Sequence, residues 1–378
     1  PSVIHYEPRN NQYMKVLVIN PGSTSTKVAV YEDGKQTWVA NEQHSPAEIS
    51  VFAHVNEQLA YRENTVRRML AKAGIPLEFD AVMARGGLLQ PTPGGVYAVD
   101  DALIHDLIYA RMEHVCNLGA LIADKIAKEV GCPAFIADPE VVDEFMPEAR
   151  VSGIPEIERI SIFHALNQKA VARKYARENG VPYSDLNLIV VHLGGGISVG
   201  AHLHGKVVDV NNALNGDGPF SPERAGTVPA DQLVDLCFSG KYTQREIKKM
   251  LNGRGGLAAH LGITDMREIS ARATEGLEPY KSMVEAMAYA VGKEVGSRAV
   301  ALRGNIDAII LTGGIARDTY FVDLLRSWIE WIGPIVLIPG EDEMGSLATN
   351  AFGAIDGSLP VMYYRPEHPC VEHDLAKA

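Results

Sequence analysis

Residues 18–31 read V-I-N-P-G-S-T-S-T-K-V-A-V-Y, and the meaning of this stretch decides the fold. Its flanks, Val16–Ile19 and Val28–Tyr31, are apolar runs of the kind that form buried strands. Between them lies a tight turn of Gly, Ser and Thr. Such a turn bares backbone N–H groups and hydroxyls with little bulk in the way, which suits a phosphate better than a packed core. An ordinary hairpin loop has the same composition, so the turn alone leaves both readings open. A second stretch separates them. Residues 186–206 read L-N-L-I-V-V-H-L-G-G-G-I-S-V-G-A-H-L-H-G-K, and residues 15–35 read K-V-L-V-I-N-P-G-S-T-S-T-K-V-A-V-Y-E-D-G-K. In both the order is apolar strand, polar residue, Gly turn, apolar strand and Gly-Lys hairpin end, with Asn20 opposite His192. A third Gly turn, L-T-G-G-I-A, occupies 311–316. The repetition predicts an internal duplication in which each half opens its sheet with a phosphate-type turn.

The rest of the chain agrees with an α/β architecture. The 378 residues, 46% of them hydrophobic, suffice for two domains with full cores. Strands are expected at 15–20, 27–32, 80–84, 134–137, 187–193, 197–203, 306–311 and 334–338. Helices are expected at 47–73, 100–110, 117–130, 160–179, 280–302, 319–332 and 345–355. A formal charge of −12 argues against nucleic acid or an anionic membrane surface as partner, so any phosphate must be gripped locally. No run approaches a membrane span, and the polar segment Pro1–Gln12 lacks the build of a signal peptide, so a cytoplasmic protein is expected. Cys116, Cys132, Cys237 and Cys370 are scattered without metal or disulfide spacing and read as free thiols, mostly buried.

The motifs I-N-P-G-S-T-S-T-K, A-R-G-G-L-L, E-H-V-C-N-L-G-A-L-I-A, V-H-L-G-G-G-I-S, L-T-G-G-I-A and P-G-E-D-E-M together resemble the acetate and butyrate kinase family. That family lies within the superfamily of sugar kinases, actin and heat-shock chaperone ATPases, and the likeness runs from about residue 15 to 362. The resemblance implies two duplicated ribonuclease H-like domains of the actin ATPase type with a nucleotide cleft between them. It draws the N-terminal domain at 14–165 with the helical return 345–362, and the C-terminal domain at 166–344. It further implies ATP/ADP and Mg²⁺ as cofactors, a small-molecule carboxylate as substrate, and a homo-oligomer, dimer or higher. By the same likeness Asn20, Ser23, Thr24, Ser25, Thr26 and Lys27 approach the phosphates from one domain. His192, Gly194, Gly195 and Gly196 approach them from the other. Gly313, Gly314 and Ile315 line the adenine slot, and Asp265 and Arg267 hold ribose and phosphate, although a helix N-cap would use the same pair.

Phosphorylating a carboxylate sets its own requirements. The nucleophile is already ionised at pH 7 and needs no general base. The obstacle is that two anions must meet in line, so catalysis is positioning and neutralisation by Arg, His and Mg²⁺. Arg85 follows an apolar run and precedes Gly86 and Gly87, an odd place for a solvated Arg, and is assigned to the substrate carboxylate. Arg224, among turn formers, is assigned to the transferring phosphoryl group, with an ion pair to Glu223 as the plainer alternative. His164 taken alone reads as a satisfied core histidine, and the resemblance implies that it donates to a phosphoryl oxygen. Asp138, ending the strand A-F-I-A-D, is the first candidate for Mg²⁺, and Glu343 is favoured over Glu341 and Asp342 as the second. His202 and His204 read as strand-surface residues.

The choice of acid rests on the residues after Arg85. Acetate kinases carry a bulky valine there, whereas this chain has glycines, which makes room for two more methylenes at roughly 0.8 kcal/mol of burial each. Gly86, Gly87, Phe163 and Pro222 are accordingly expected to line the acyl pocket, and butyrate is the expected acceptor. Acetate, propionate or branched-chain acids are the alternatives, since pocket fit discriminates only roughly 10- to 200-fold per methylene. At the level of class, a chaperone-like ATPase and a sugar kinase remain alternatives; the latter would require a general-base Asp.

Overall fold

The structure, a computed structural model, describes residues 13–110 and 113–370; Pro1–Gln12, read above for targeting signals, lies outside them. The chain divides into two compact units, one running to Val142 and resuming at Asp342, the other spanning Asp143–Glu341. In the first, β1 (Lys15–Pro21), β2 (Ser25–Glu32) and β3 (Lys35–Gln43) form an antiparallel meander. β4 (Ala81–Arg85) lies parallel to β1, and β6 (Ala134–Ala137) parallel to β4. β5 (Val96–Ala98) and the last strand among the described residues, Val361–Tyr363, complete a seven-stranded sheet beyond β6.

The second unit repeats the plan. Its meander is β7 (Asn187–Leu193), β8 (Ile197–Leu203) and β9 (Lys206–Val210), and β10 (Ala308–Gly313) and β11 (Ile335–Pro339) continue in parallel on the other side of β7. In each meander the first turn has three residues, and each second hairpin carries a register shift, between Val30 and Tyr31 in one and between Ala201 and His202 in the other. The duplication is therefore present down to the bulge.

Burial on both faces explains why the central strands are continuously apolar. In β7, Leu188 and Val190 pack against the helix Ala165–Glu178, while Ile189, Val191 and Leu193 pack with the helices Tyr280–Ala301 and Thr319–Ile329. In β1, Leu17 and Ile19 join a core with the helices Leu59–Lys72 and Asn117–Val130, and the returning helix Glu343–Ile355 packs on β1 and β4. Each such fully buried aliphatic side chain contributes about 1.5–3 kcal/mol.

The structure differs from the sequence reading in several places. The helix expected at 47–73 is two: Pro46–Ile49, opened by a Ser45–Glu48 capping box, and Leu59–Lys72 after a tight turn at Val55–Gln58. The Glu57 carboxylate accepts the Ala53 N–H at 2.9 Å, a local bond that competes with helix continuation. Residues 143–165, drawn above with the N-terminal domain, fall in the second unit: the Met146 N–H donates to the Val208 carbonyl and the Ala213 N–H to that of Ile162. Four helices between Ala230 and Thr274 escape the sequence pattern. His202 is fully buried, not on the surface. Its Nε2 meets Gln168 Oε1 at 2.9 Å and its Nδ1 meets Tyr183 OH at 2.7 Å, and burial holds its pKa well below the ordinary value. Among the described residues no cysteine forms a disulfide; Cys116 and Cys370 are buried, Cys132 half-buried and Cys237 exposed. Among the described residues, no helix is long and apolar enough to cross a membrane.

Candidate active site

In the first unit the parallel strands β1, β4 and β6 end at one edge, and the next residues carry the chemistry. Asn20 is the last residue but one of β1, Arg85 ends β4, and Asp138 follows β6 beside Arg85's register partner Ala137. Carboxyl ends of parallel strands are where α/β sheets bind ligands. Arg85 meets Glu140 Oε1 through Nε at 2.7 Å and Nη2 at 2.6 Å, and Glu343 Oε1 through Nη1 at 3.0 Å. Burial alone would lower its pKa, but the Glu140 and Glu343 carboxylates raise it above the ordinary guanidinium value. The fork retains N–H capacity for one further anion.

Glu343 also accepts from Asn20 Nδ2 at 2.6 Å, while Asn20 Oδ1 is buried without a partner. A carboxylate beside an orphaned amide oxygen is the hard oxygen-donor chemistry that Mg²⁺ takes. Asp138 is buried at φ +39°, and its Oδ1 accepts the Gly95 N–H at 2.8 Å, so part of that carboxylate holds the backbone. The hydroxyl of Thr26 also turns inward, meeting His44 Nε2 at 2.8 Å; Ser23, Thr24 and Lys27 are exposed and Ser25 is half-buried.

The two glycines after Arg85 do not open a pocket. A Cβ on Gly86 would sit 2.6 Å from Pro139 Cβ, and one on Gly87 would sit 2.5 Å from Leu107 Cδ2 and 2.9 Å from Asn117 Cα. They are close-packing residues. Gly87→Val should therefore cost about 1–3 kcal/mol of stability by overpacking and depress turnover of acetate and butyrate in parallel. Thermal unfolding and kcat/KM for both acids check this; selective loss of butyrate would restore the acyl-pocket reading.

In the second unit the rings of His164 and His192 stack with centroids 3.8 Å apart and planes 9° apart. His192 is the last residue but one of β7, as Asn20 is of β1. Asn167 Nδ2 donates to His192 Nδ1 at 2.8 Å, so the neutral ring carries its proton on Nε2, beside Gly194. Burial first, then the nearby Arg224 charge, pulls the His192 pKa down to about 3. His164, the N-cap residue of the helix Ala165–Glu178, meets Ser198 Oγ through Nδ1 at 2.8 Å. Arg224 Nη1 donates to the Ala213 carbonyl at 2.6 Å, and its buried Nε has no partner. Its guanidinium lies where a side chain on Gly196 would be, 1.7 Å from an added Cβ, so only glycine admits it. Burial lowers its pKa, and the charge of the exposed Glu223 offsets part of that effect.

A cavity of about 650 Å³ gathers Gly194, Gly195, Asp265, Arg267, Gly314 and Ile315, six of the residues that the sequence reading assigned to the nucleotide. Pro222, assigned above to the acyl pocket, lines it too, and Phe163 is buried next to His164. Gly313 does not line it: at φ +86° it packs against the Leu193 carbonyl, 2.3 Å from an added Cβ. Asp265 N-caps the helix Met266–Thr274, and its hydrogen bonds with the Arg267 side chain and amide lower its pKa to about 2. Ser270, Asp318 and Thr319 line the cavity as well; no turn motif pointed to them.

The His192 burial has a pH signature. Unfolded, the ring binds a proton below pH 6.5; folded, it does not until about pH 3. Its neutral burial is therefore fully tolerated above pH 6.5 and drains stability as pH falls, by about 1.4 kcal/mol per unit. His192→Gln should flatten the fall of the urea midpoint between pH 6.5 and 4.5; an unchanged slope would show that the ring titrates normally.

The Acetokinase family profile matches residues 157–330. A Phocaeicola vulgatus protein named as a probable butyrate kinase is 66% identical over 94% of this chain and 100% of its own. Butyrate kinase 2 of Clostridium acetobutylicum is 47% identical over 93% and 99%. The crystal structure of Porphyromonas gingivalis acetate kinase superposes with a TM-score of 0.73 at 19% identity, covering 90% of this chain and 100% of that one.

Proposed function

This chain belongs to the acetokinase family and is an ATP-dependent kinase with a carboxyl group as acceptor, and on that premise we propose that its acceptor is butyrate. The reaction is reversible: a carboxylate oxygen bonds to the γ-phosphorus of ATP, the bond to the β-bridging oxygen breaks, and ADP leaves with that electron pair. No proton moves, because the acid is already ionised. The observation that supports phosphoryl transfer best is the donor array of the second unit: Arg224 with an unpartnered buried Nε, and His192 held neutral with its proton on Nε2.

In this reading Arg85 holds the substrate carboxylate, Arg224 and His164 neutralise the transferring group, and Asn20 and the turn Ser23–Ser25 with Gly194–Gly196 take the phosphates. Asn20 and Glu343 would hold Mg²⁺, with Asp138 as a further oxygen donor, and the ion would supply charge neutralisation at the phosphates. The cavity beside Asp265, Arg267 and Ile315 takes the nucleoside. The preference for butyrate is carried over from the relatives; Gly86 and Gly87 no longer argue for it. The enzyme is further proposed to act in the cytoplasm as a homo-oligomer.

Trapping the product with hydroxylamine tests the reading. With ATP, Mg²⁺ and a panel of acids, the acyl hydroxamate should form fastest from butyrate. A higher kcat/KM for acetate would overturn the acid assignment, and no hydroxamate from any acid would overturn the reaction class.

A further inference from the structure

Arg62, in the helix Leu59–Lys72, is wholly buried, yet it meets no carboxylate among the described residues. Its Nη1 donates to the carbonyls of Gly22 at 3.0 Å and Ser25 at 2.8 Å and to Thr26 Oγ1 at 3.0 Å. Its Nη2 donates to the Ser23 carbonyl at 3.2 Å, and Nε and Nη2 both donate to Gln58 Oε1, at 3.2 and 3.1 Å. The remaining carbonyl of the turn, that of Thr24, accepts the His44 N–H at 2.7 Å. Every carbonyl from Gly22 to Ser25 is thus turned to a protein donor.

A trans peptide points its C=O and N–H in opposite directions. The carbonyls of Gly22 and Ser23 belong to the same peptide groups as the N–H groups of Ser23 and Thr24, so Arg62 faces those N–H groups away from itself. Neither N–H donates to any protein acceptor among the described residues. A cation drawing on the carbonyl end also polarises the N–H end, since hydrogen bonds in series strengthen one another. A buried cation with no internal counter-ion is costly unless an anion supplies the missing charge.

We infer that Arg62 is a positioning residue for phosphate: from behind the first Gly-Ser-Thr turn it aims the Ser23 and Thr24 amides outward and lends an uncompensated positive charge that the ATP phosphates neutralise. This rests on reading the turn as a phosphate loop. The charge, not only the shape, is the functional property, and the two come apart in one substitution. Gln58→Glu keeps the acceptor oxygen that Arg62 already uses and adds the missing counter-charge inside the protein.

The expected result for Gln58→Glu is a thermal midpoint equal to or above wild type, with a dissociation constant for MgATP raised about tenfold by calorimetry. Affinity within twofold of wild type at retained stability would make Arg62 a structural residue only, and would overturn the inference. Should the variant not fold, Arg62→Lys and Arg62→Met carry the same test. Both lose the fork and only Lys keeps the charge, so Lys must bind MgATP more tightly; equal loss overturns the inference. Wild-type hydroxamate formation is measured alongside: its absence would fail the kinase reading itself, whereas normal wild-type turnover with an indifferent Gln58→Glu fails only the role of Arg62.

Discussion

Arg85→Ala should lower kcat/KM for the acid by about two to three decades, with the KM for the acid raised and kcat reduced. Two terms add. The substrate loses a charge-assisted fork, and Glu140 and Glu343 lose the cation that now lies 2.6 Å from one and 3.0 Å from the other. Removing one partner of a buried pair costs about 3–5 kcal/mol because the other charge stays behind, and this half-buried pair should cost less. Here the charges left behind are carboxylates, which repel an incoming carboxylate. The loss should be the same factor for acetate, propionate and butyrate, because in the proposed reading Arg85 touches the carboxylate and not the acyl chain. Adding Glu140→Gln removes one repelling charge and should recover part of the lost kcat/KM. Values of KM and kcat both within twofold of wild type would remove Arg85 from the substrate site.

What made Arg85 legible was its position, a cation directly after four apolar residues of a buried strand. Asp138, and His192 with its Gly turn, were legible for the same reason, since polar residues at strand ends have few bland explanations. The duplicated turns could be found because a turn between two buried strands leaves its small residues as the only polar signal. Arg62 gave no such signal. It stands in a helix crowded with charge, and only the fold brings it beneath a turn some forty residues earlier in the chain. His202 misled because β8 is covered on both faces, so alternation along the strand says nothing about exposure. Gly87 misled differently: a missing side chain was read as space, whereas the Asn117 backbone and Leu107 already fill it. Composition reports that a side chain is absent, and only packing reports what took its place.

The other large effect is expected at Arg224, and it falls on a different kinetic constant. Arg224→Lys should reduce kcat by about two to three decades while leaving the KM for ATP and for the acid within about threefold. The guanidinium spends Nη1 on the Ala213 carbonyl, which fixes its plane over Gly196, and keeps the buried Nε unspent. A donor left unpaired in the resting protein costs stability, and that cost is recovered only when an anionic oxygen arrives. The phosphoryl group presents its oxygens most openly while it lies between the two oxygens it is leaving and joining, so the interaction is strongest there. Lysine keeps one positive charge but offers a single ammonium, which cannot hold Ala213 and reach the phosphoryl oxygens in one plane. The ground-state complex, which the proposed reading assigns to the turns and the cavity beside Asp265, should be little disturbed. Single-turnover rates with saturating ATP check this directly, because they report the chemical step apart from product release. A variant with normal single-turnover rate and weakened ATP binding would move Arg224 from transition-state stabilisation to nucleotide binding, and the neutral His192 beside it would then be the principal donor to the moving group.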